Sequence, residues 1–220
     1  MNLLEPIDIY CERLGAEFWA EPLNAATNLS FFIAAWCAWR LWKKQKRNIG
    51  PSRSIPFLIL TVALIGEGSL LFHTFANRWS MYADIFFITV FMYVYLGVLL
   101  RKIFRLRTRG ILTAVVAFFA IGAAFIQVVP SDVFNGSEGY FASIIAFGAL
   151  IMGSYNHRLP HTSSLVLGMI VFTISIFFRS VDMGWCQDWP MGTHFLWHLL
   201  NGIVLYLLMR YLILNHPPKG

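Results

Sequence analysis

Residues 55–100 read IPFLILTVALIGEGSLLFHTFANRWSMYADIFFITVFMYVYLGVLL. Two apolar runs, near 56–76 and 81–100, are separated by only a few polar residues. Each is long enough to cross a hydrocarbon core, which takes roughly 20 residues of helix. Working outward, runs of the same kind recur near 24–42, 110–129, 139–154, 163–180 and 192–213. The pattern predicts an all-α integral membrane bundle of seven transmembrane helices. Residues 1–220 form one domain in this reading, with 1–23 as a segment outside the membrane.

Composition agrees with that class. The chain is 58% hydrophobic and 13% charged, with a mean hydropathy of +0.63, well away from the balance of a soluble domain. A net charge of +6 does not point to nucleic acid, because the basic residues fall in clusters between apolar runs. Arg40, Lys43, Lys44, Lys46, Arg47 and Arg53 follow the first run, and Arg101, Lys102, Arg105, Arg107 and Arg109 follow the third. Basic loops stay cytoplasmic, whereas Glu5, Asp8, Glu12, Glu17, Glu21, Asp132, Glu138, Asp182 and Asp188 gather on the other side. The N-terminus is therefore expected outside and the C-terminus in the cytoplasm, which requires an odd number of spans. The first residues, MNLLEPIDIYCERLGAEFWAEPLN, lack the basic and apolar regions of a signal peptide and are expected to be retained. There is no internal repeat of the kind many transporters carry.

Ionisable groups inside a bilayer are costly and usually mark a site. Ser69 and His73 stand four apart on one face near the outer end of the second run, and His194 and His198 do the same at the start of the last. With alternating spans, these three imidazoles share one depth. Two histidines at i and i+4 with a third from another helix suit tetrahedral zinc with one position left open. Interhelical hydrogen bonding is the plainer alternative for any single histidine. His157 and His161 are also four apart, but Pro160 interrupts the spacing, so they read as loop residues together with His216. Asp84, just across the short turn from His73, is placed to act as a general base on water or to orient a ligand histidine.

GEGSLLFH followed by Asp84, GTHFLWH in the last run, and the N-terminal YCER followed by EPLNAATN resemble the alkaline ceramidases. That family belongs to a superfamily of seven-span hydrolases that includes the adiponectin receptors. The resemblance implies an enzyme that hydrolyses the amide of N-acyl sphingoid lipids to a fatty acid and a sphingoid base. It implies zinc on His73, His194 and His198, Asp84 as the base and Ser69 as an oxyanion donor. It also implies calcium in an acidic N-terminal segment, where Glu12 and Glu21 match family ligands while Ile9 and Leu14 replace two others. Glu67, where the family commonly has an apolar residue, points away from the Ser69/His73 face and is expected to pair with another helix.

Cys11 and Cys186 both fall on the predicted outer side, where disulfides persist, and are expected to pair; Cys37 lies within the first run. Trp79, Trp185, Trp189 and Trp197 gather near the outer interface, as aromatic belts do. Other readings compete with the enzyme: a receptor or lipid-binding protein with a related zinc site, a hydrolase of a different acyl lipid, or a haem protein using paired histidines. The compact loops suit a bacterial inner membrane with the site near its periplasmic face, or an endoplasmic reticulum or Golgi membrane in a eukaryote. The expected partner is a ceramide-like membrane lipid.

Overall fold

A computed structural model describes residues 2–219. The described residues form eight α-helices: α1 Pro22–Thr27, α2 Leu29–Gln45, α3 Ser54–Phe75, α4 Arg78–Lys102, α5 Thr108–Val128, α6 Phe141–Asn156, α7 Thr162–Val181 and α8 His194–Leu214. No strand is present among them beyond two isolated bridges, Pro6 with Asn77 and Ile49 with Pro218. Five helices, α3, α4, α5, α7 and α8, are long and apolar enough to cross a membrane. The other two expected runs form shorter helices of 17 residues in α2 and 16 in α6. Each is extended at its N-terminal end. Asn28 keeps right-handed helical angles between α1 and α2, and a 3-10 turn, Glu138–Tyr140, leads directly into α6.

The helix ends follow from local chemistry. Helix α3 stops at Ala76, which adopts a left-handed conformation (φ 42°). Asn77 then starts α4 through a reciprocal pair of bonds with Ser80, a capping box that satisfies two otherwise unpaired N–H groups. The N-terminal segment is laid against this turn: Ile7 N–H donates to Ala76 O at 2.8 Å, and Arg78 N–H donates to Glu5 O at 3.1 Å.

Helix α8 is the axis of the bundle, with α2, α3 and α7 packed around it. Tyr211, Met209, Leu212 and Ile213 on α8 are wholly buried, as are Ile55 and Leu58 on α3. The periphery is apolar too. Helix α5 buries no residue and exposes Leu112, Val116, Phe119 and Ile126, the first of them 59% accessible. Water-soluble proteins rarely show such a surface, whereas against acyl chains it carries no penalty. Glu67 departs from expectation, since it is exposed on the outer side of α3 rather than turned into the bundle. Its flanking glycines explain this: Gly66 faces α2 and Gly68 faces α4, so the residue between them points outward and Ser69 points in. Trp197 departs as well. It is buried against Tyr140 and Phe172 instead of lying at an interface.

Helices α2 and α8 touch at Gly202, where an added Cβ would lie 2.9 Å from Ser30 Cβ and 3.0 Å from Ser30 O. Ser30 Oγ in turn donates to His198 O at 2.8 Å, so this contact sets the height of α8 against α2. Gly202→Ala is expected to cost about 1–3 kcal/mol by overpacking and to lower the melting temperature in detergent. Gly148→Ala, which meets nothing within 4 Å, is expected to leave it unchanged or slightly higher.

Candidate metal centre

His73 lies in the last turn of α3, and His194 and His198 occupy the first two turns of α8. One nitrogen from each ring can be chosen so that all three lie within 4.8 Å of one another. All three side chains are buried, at 1–2% exposure. They meet because α3 ends and α8 begins at the same end of the bundle.

The far nitrogen of two of the rings is held by the protein. His73 Nδ1 lies 2.6 Å from Glu21 Oε2, and a carboxylate there fixes the proton on Nδ1. His198 Nδ1 lies 3.0 Å from Thr27 Oγ1. The Thr27 hydroxyl donates to Leu23 O at 2.9 Å, so the His198 proton also belongs on Nδ1. With both rings neutral, both Nε2 atoms carry lone pairs, and they face each other at 3.1 Å. Two acceptors at that distance repel unless a cation lies between them. Two nitrogens each bonded to one tetrahedral zinc stand about 3.3 Å apart. The His194 Nδ1 atom is buried with no hydrogen-bond partner among the described residues. This donor set fits zinc.

Around the imidazoles, several side chains fix their placement. Tyr10 stacks on His194, with centroids 3.6 Å apart and 21° between planes; burial raises its phenol pKa despite the neighbouring Arg179. Asp182, at the end of α7, is 1% exposed. Its Oδ1 accepts the N–H groups of Thr193 at 2.6 Å and His194 at 2.8 Å, and its Oδ2 accepts Cys11 N–H at 2.9 Å. A carboxylate on the first N–H groups of α8 satisfies orphan donors and complements the helix dipole. Cys11 is bonded to Cys186, with Cα atoms 5.4 Å apart, while Cys37 is free.

Ser69 Oγ lies 3.4 Å from His198 Nε2, and the Asp84 carboxylate is close enough to Ser69 and His73 to feel both electrostatically. Asp84 Oδ1 is buried with no partner among the described residues. The structure thus brings Ser69, His73, Asp84, His194 and His198 to one place. His157 and His161 flank the turn between α6 and α7, away from it.

Glu12 and Glu21 are committed to protein partners. Glu12 accepts the N–H groups of Leu23 at 2.6 Å and Asn24 at 2.8 Å, capping the start of α1. Burial raises its pKa more than these bonds lower it. Glu21 receives Arg13 Nε at 2.6 Å on Oε1, and Asn24 Nδ2 at 3.1 Å with His73 on Oε2. Burial alone would raise its carboxyl, but His73, Arg13 and Asn24 together hold it below the usual value.

Arg13, Tyr10, Thr27, Arg179 and Asp182 were not among the residues expected at the site. For Arg179 a signal existed, a basic residue at the acidic end of the bundle. Its Nη1 donates to Asn135 O at 2.6 Å and Ser137 Oγ at 2.7 Å, and its guanidinium lies 5.6 Å from the Trp197 ring centroid.

Below the imidazoles, Phe31, Ile65, Ile88, Met92 and Tyr140 help line a buried apolar cavity of about 90 Å³. Ile88, Met92 and Tyr140 also line a more open groove of about 500 Å³ between α4 and α5, which ends at Arg179.

A family model described as Ceramidase matches residues 10–217. No curated protein matches the chain.

Asp182→Asn would present an amide N–H to one of the backbone donors it now accepts and would remove the charge at the start of α8. A loss of about 2–4 kcal/mol is expected, read as a lower melting temperature in detergent.

Proposed function

Because the chain belongs to the ceramidase family, we propose that it is a zinc-dependent amide hydrolase of membrane lipids, releasing a fatty acid and a sphingoid base from N-acyl sphingoid lipids. Family membership carries hydrolysis of a ceramide-like lipid. The observation that carries the metal is the convergence of three buried imidazoles, with His73 Nε2 and His198 Nε2 3.1 Å apart and His194 beside them.

Zinc held by His73, His194 and His198 would supply Lewis acidity, polarising the amide carbonyl and lowering the pKa of water. The remaining work falls to side chains of this protein. Asp84, with its free Oδ1, takes a proton from water as the water oxygen bonds to the carbonyl carbon. The Ser69 hydroxyl donates to the carbonyl oxygen as charge develops on it. When the C–N bond breaks, Asp84 returns the proton to the leaving amine, so one water is consumed and two products form. Glu21 and Thr27 hold the His73 and His198 rings in one tautomer throughout. The buried cavity and the groove between α4 and α5 suit acyl and sphingoid chains, and the groove lets a lipid enter sideways from the bilayer.

In this proposal the whole chain is one hydrolase domain of seven spans. Helices α1 and α2 together make the first span, and α6 with its 3-10 turn the fifth. Basic residues Lys43, Lys44, Arg101 and Lys102 close α2 and α4 at the end opposite the histidines. That supports a cytoplasmic C-terminus and a site facing outward, toward the periplasm in a bacterial inner membrane. A disulfide on the same side agrees with an oxidising compartment.

Protein purified in detergent should contain near-stoichiometric zinc and release fatty acid from a labelled ceramide panel. Asp84→Asn is expected to lower kcat by about 10²–10⁴ and Ser69→Ala by about 10²–10³, both with zinc retained. His198→Ala should lose zinc and activity together. Zinc without turnover on any ceramide would redirect the reading to another acyl lipid or a receptor, and a protein without metal would overturn it.

A further inference from the structure

We propose that the Arg13 guanidinium is a built-in cation that locks Glu21 onto His73, so that this chain positions its metal ligand without calcium. The inference rests on His73 being a metal ligand, as proposed above. Arg13 Nε donates to Glu21 Oε1 at 2.6 Å, Nη1 to Gly15 O at 3.0 Å and Glu17 O at 3.5 Å, and Nη2 to His73 O at 3.2 Å. Its side chain is 5% exposed and that of Glu21 4%. One carboxylate oxygen and three backbone carbonyls thus surround the guanidinium, and calcium takes oxygens of these same kinds. Here the centre of the set is filled by a side chain.

The other positions matched to family calcium ligands are poorly suited to the ion. Ile9 and Leu14 have no side-chain oxygen, and Leu14 is 89% exposed. Both oxygens of Glu12 are taken up by the first N–H groups of α1. Both oxygens of Glu21 are engaged as well, so an incoming divalent ion would have to expel the guanidinium. The planar fork of arginine suits the place for a further reason: it grips a carboxylate and several carbonyls at once, which a lysine ammonium on a single point cannot do. Arg13 also acts on His73 twice, holding its backbone carbonyl directly and its ring through Glu21. It is therefore a positioning residue, tying the N-terminal segment to the metal-bearing turn of α3.

The test uses the full-length zinc-loaded protein. Equilibrium dialysis with radiolabelled calcium, in parallel with melting curves with and without calcium, should show no stoichiometric calcium and superimposable curves. Arg13→Ala should melt roughly 5 °C or more lower and bind zinc about 10–100-fold more weakly. In that variant calcium or free guanidinium ion should raise both, because the oxygen set is left without its cation. Arg13→Lys, which keeps the charge but not the fork, should fall between the two. Stoichiometric calcium that stabilises the unaltered protein would overturn the inference, as would an Arg13→Ala protein with unchanged zinc affinity. An Arg13→Ala chain that fails to fold leaves the decision to the unaltered protein and to Arg13→Lys. Absence of ceramide turnover would count against the proposed function alone, since none of these readouts needs substrate.

Discussion

A carboxylate as buried as that of Glu21 persists as an anion only where its oxygens are engaged by donors or cations. Arg13 and Asn24 supply part of that requirement, and His73 supplies the rest at 2.6 Å. The consequence reaches beyond the pair. Glu21 fixes the His73 proton on Nδ1, which turns the Nε2 lone pair toward His198. It also anchors the segment that carries Tyr10 and Cys11, and these cover His194 and reach Asp182. Were this contact absent, the His73 ring would lose its orientation and the segment over His194 one of its anchors.

The bundle arranges polarity in reverse of a soluble protein. Its outward faces, above all that of α5, are apolar, while many of its buried polar groups gather around the histidines. Hydrocarbon outside gives no hydrogen bonds, so every polar side chain at depth must be satisfied by another or be kept for function. Most are satisfied. Ser175 and Asn201 pair at 2.6 Å, and Tyr95 donates to Leu208 O at 2.9 Å. Among the buried polar atoms left without a partner in the described residues, Asp84 Oδ1 and His194 Nδ1 stand at the candidate site, where substrate, water or metal would complete them, while others, such as Ser180 Oγ and His216 Nε2, lie elsewhere.

Much of the fold is legible in the sequence because a membrane helix needs only length and apolarity, both local properties. The spans near 56–76, 81–100, 163–180 and 192–213 correspond to α3, α4, α7 and α8 within a few residues. Spacing at i and i+4 put Ser69 with His73 and His194 with His198 on single faces, because helical periodicity is local as well. Glu67 and Trp197 could not be read in this way. Which neighbour a residue faces depends on where the other helices stand, and the close approaches at Gly66 and Gly68 set that for α3.

What the sequence determined by itself was therefore the all-helical class, the apolar runs and the histidine pairs, all consequences of composition and period. Only the tertiary structure decided that Arg13 sits on Glu21, that Asp182 caps α8 from the end of α7, and that Tyr10 stacks on His194. Those contacts join residues 8 to 184 positions apart. No local period encodes such pairings, because they depend on the packed helices bringing distant charges into one dry space, where each must find a partner or remain unpaired at high cost.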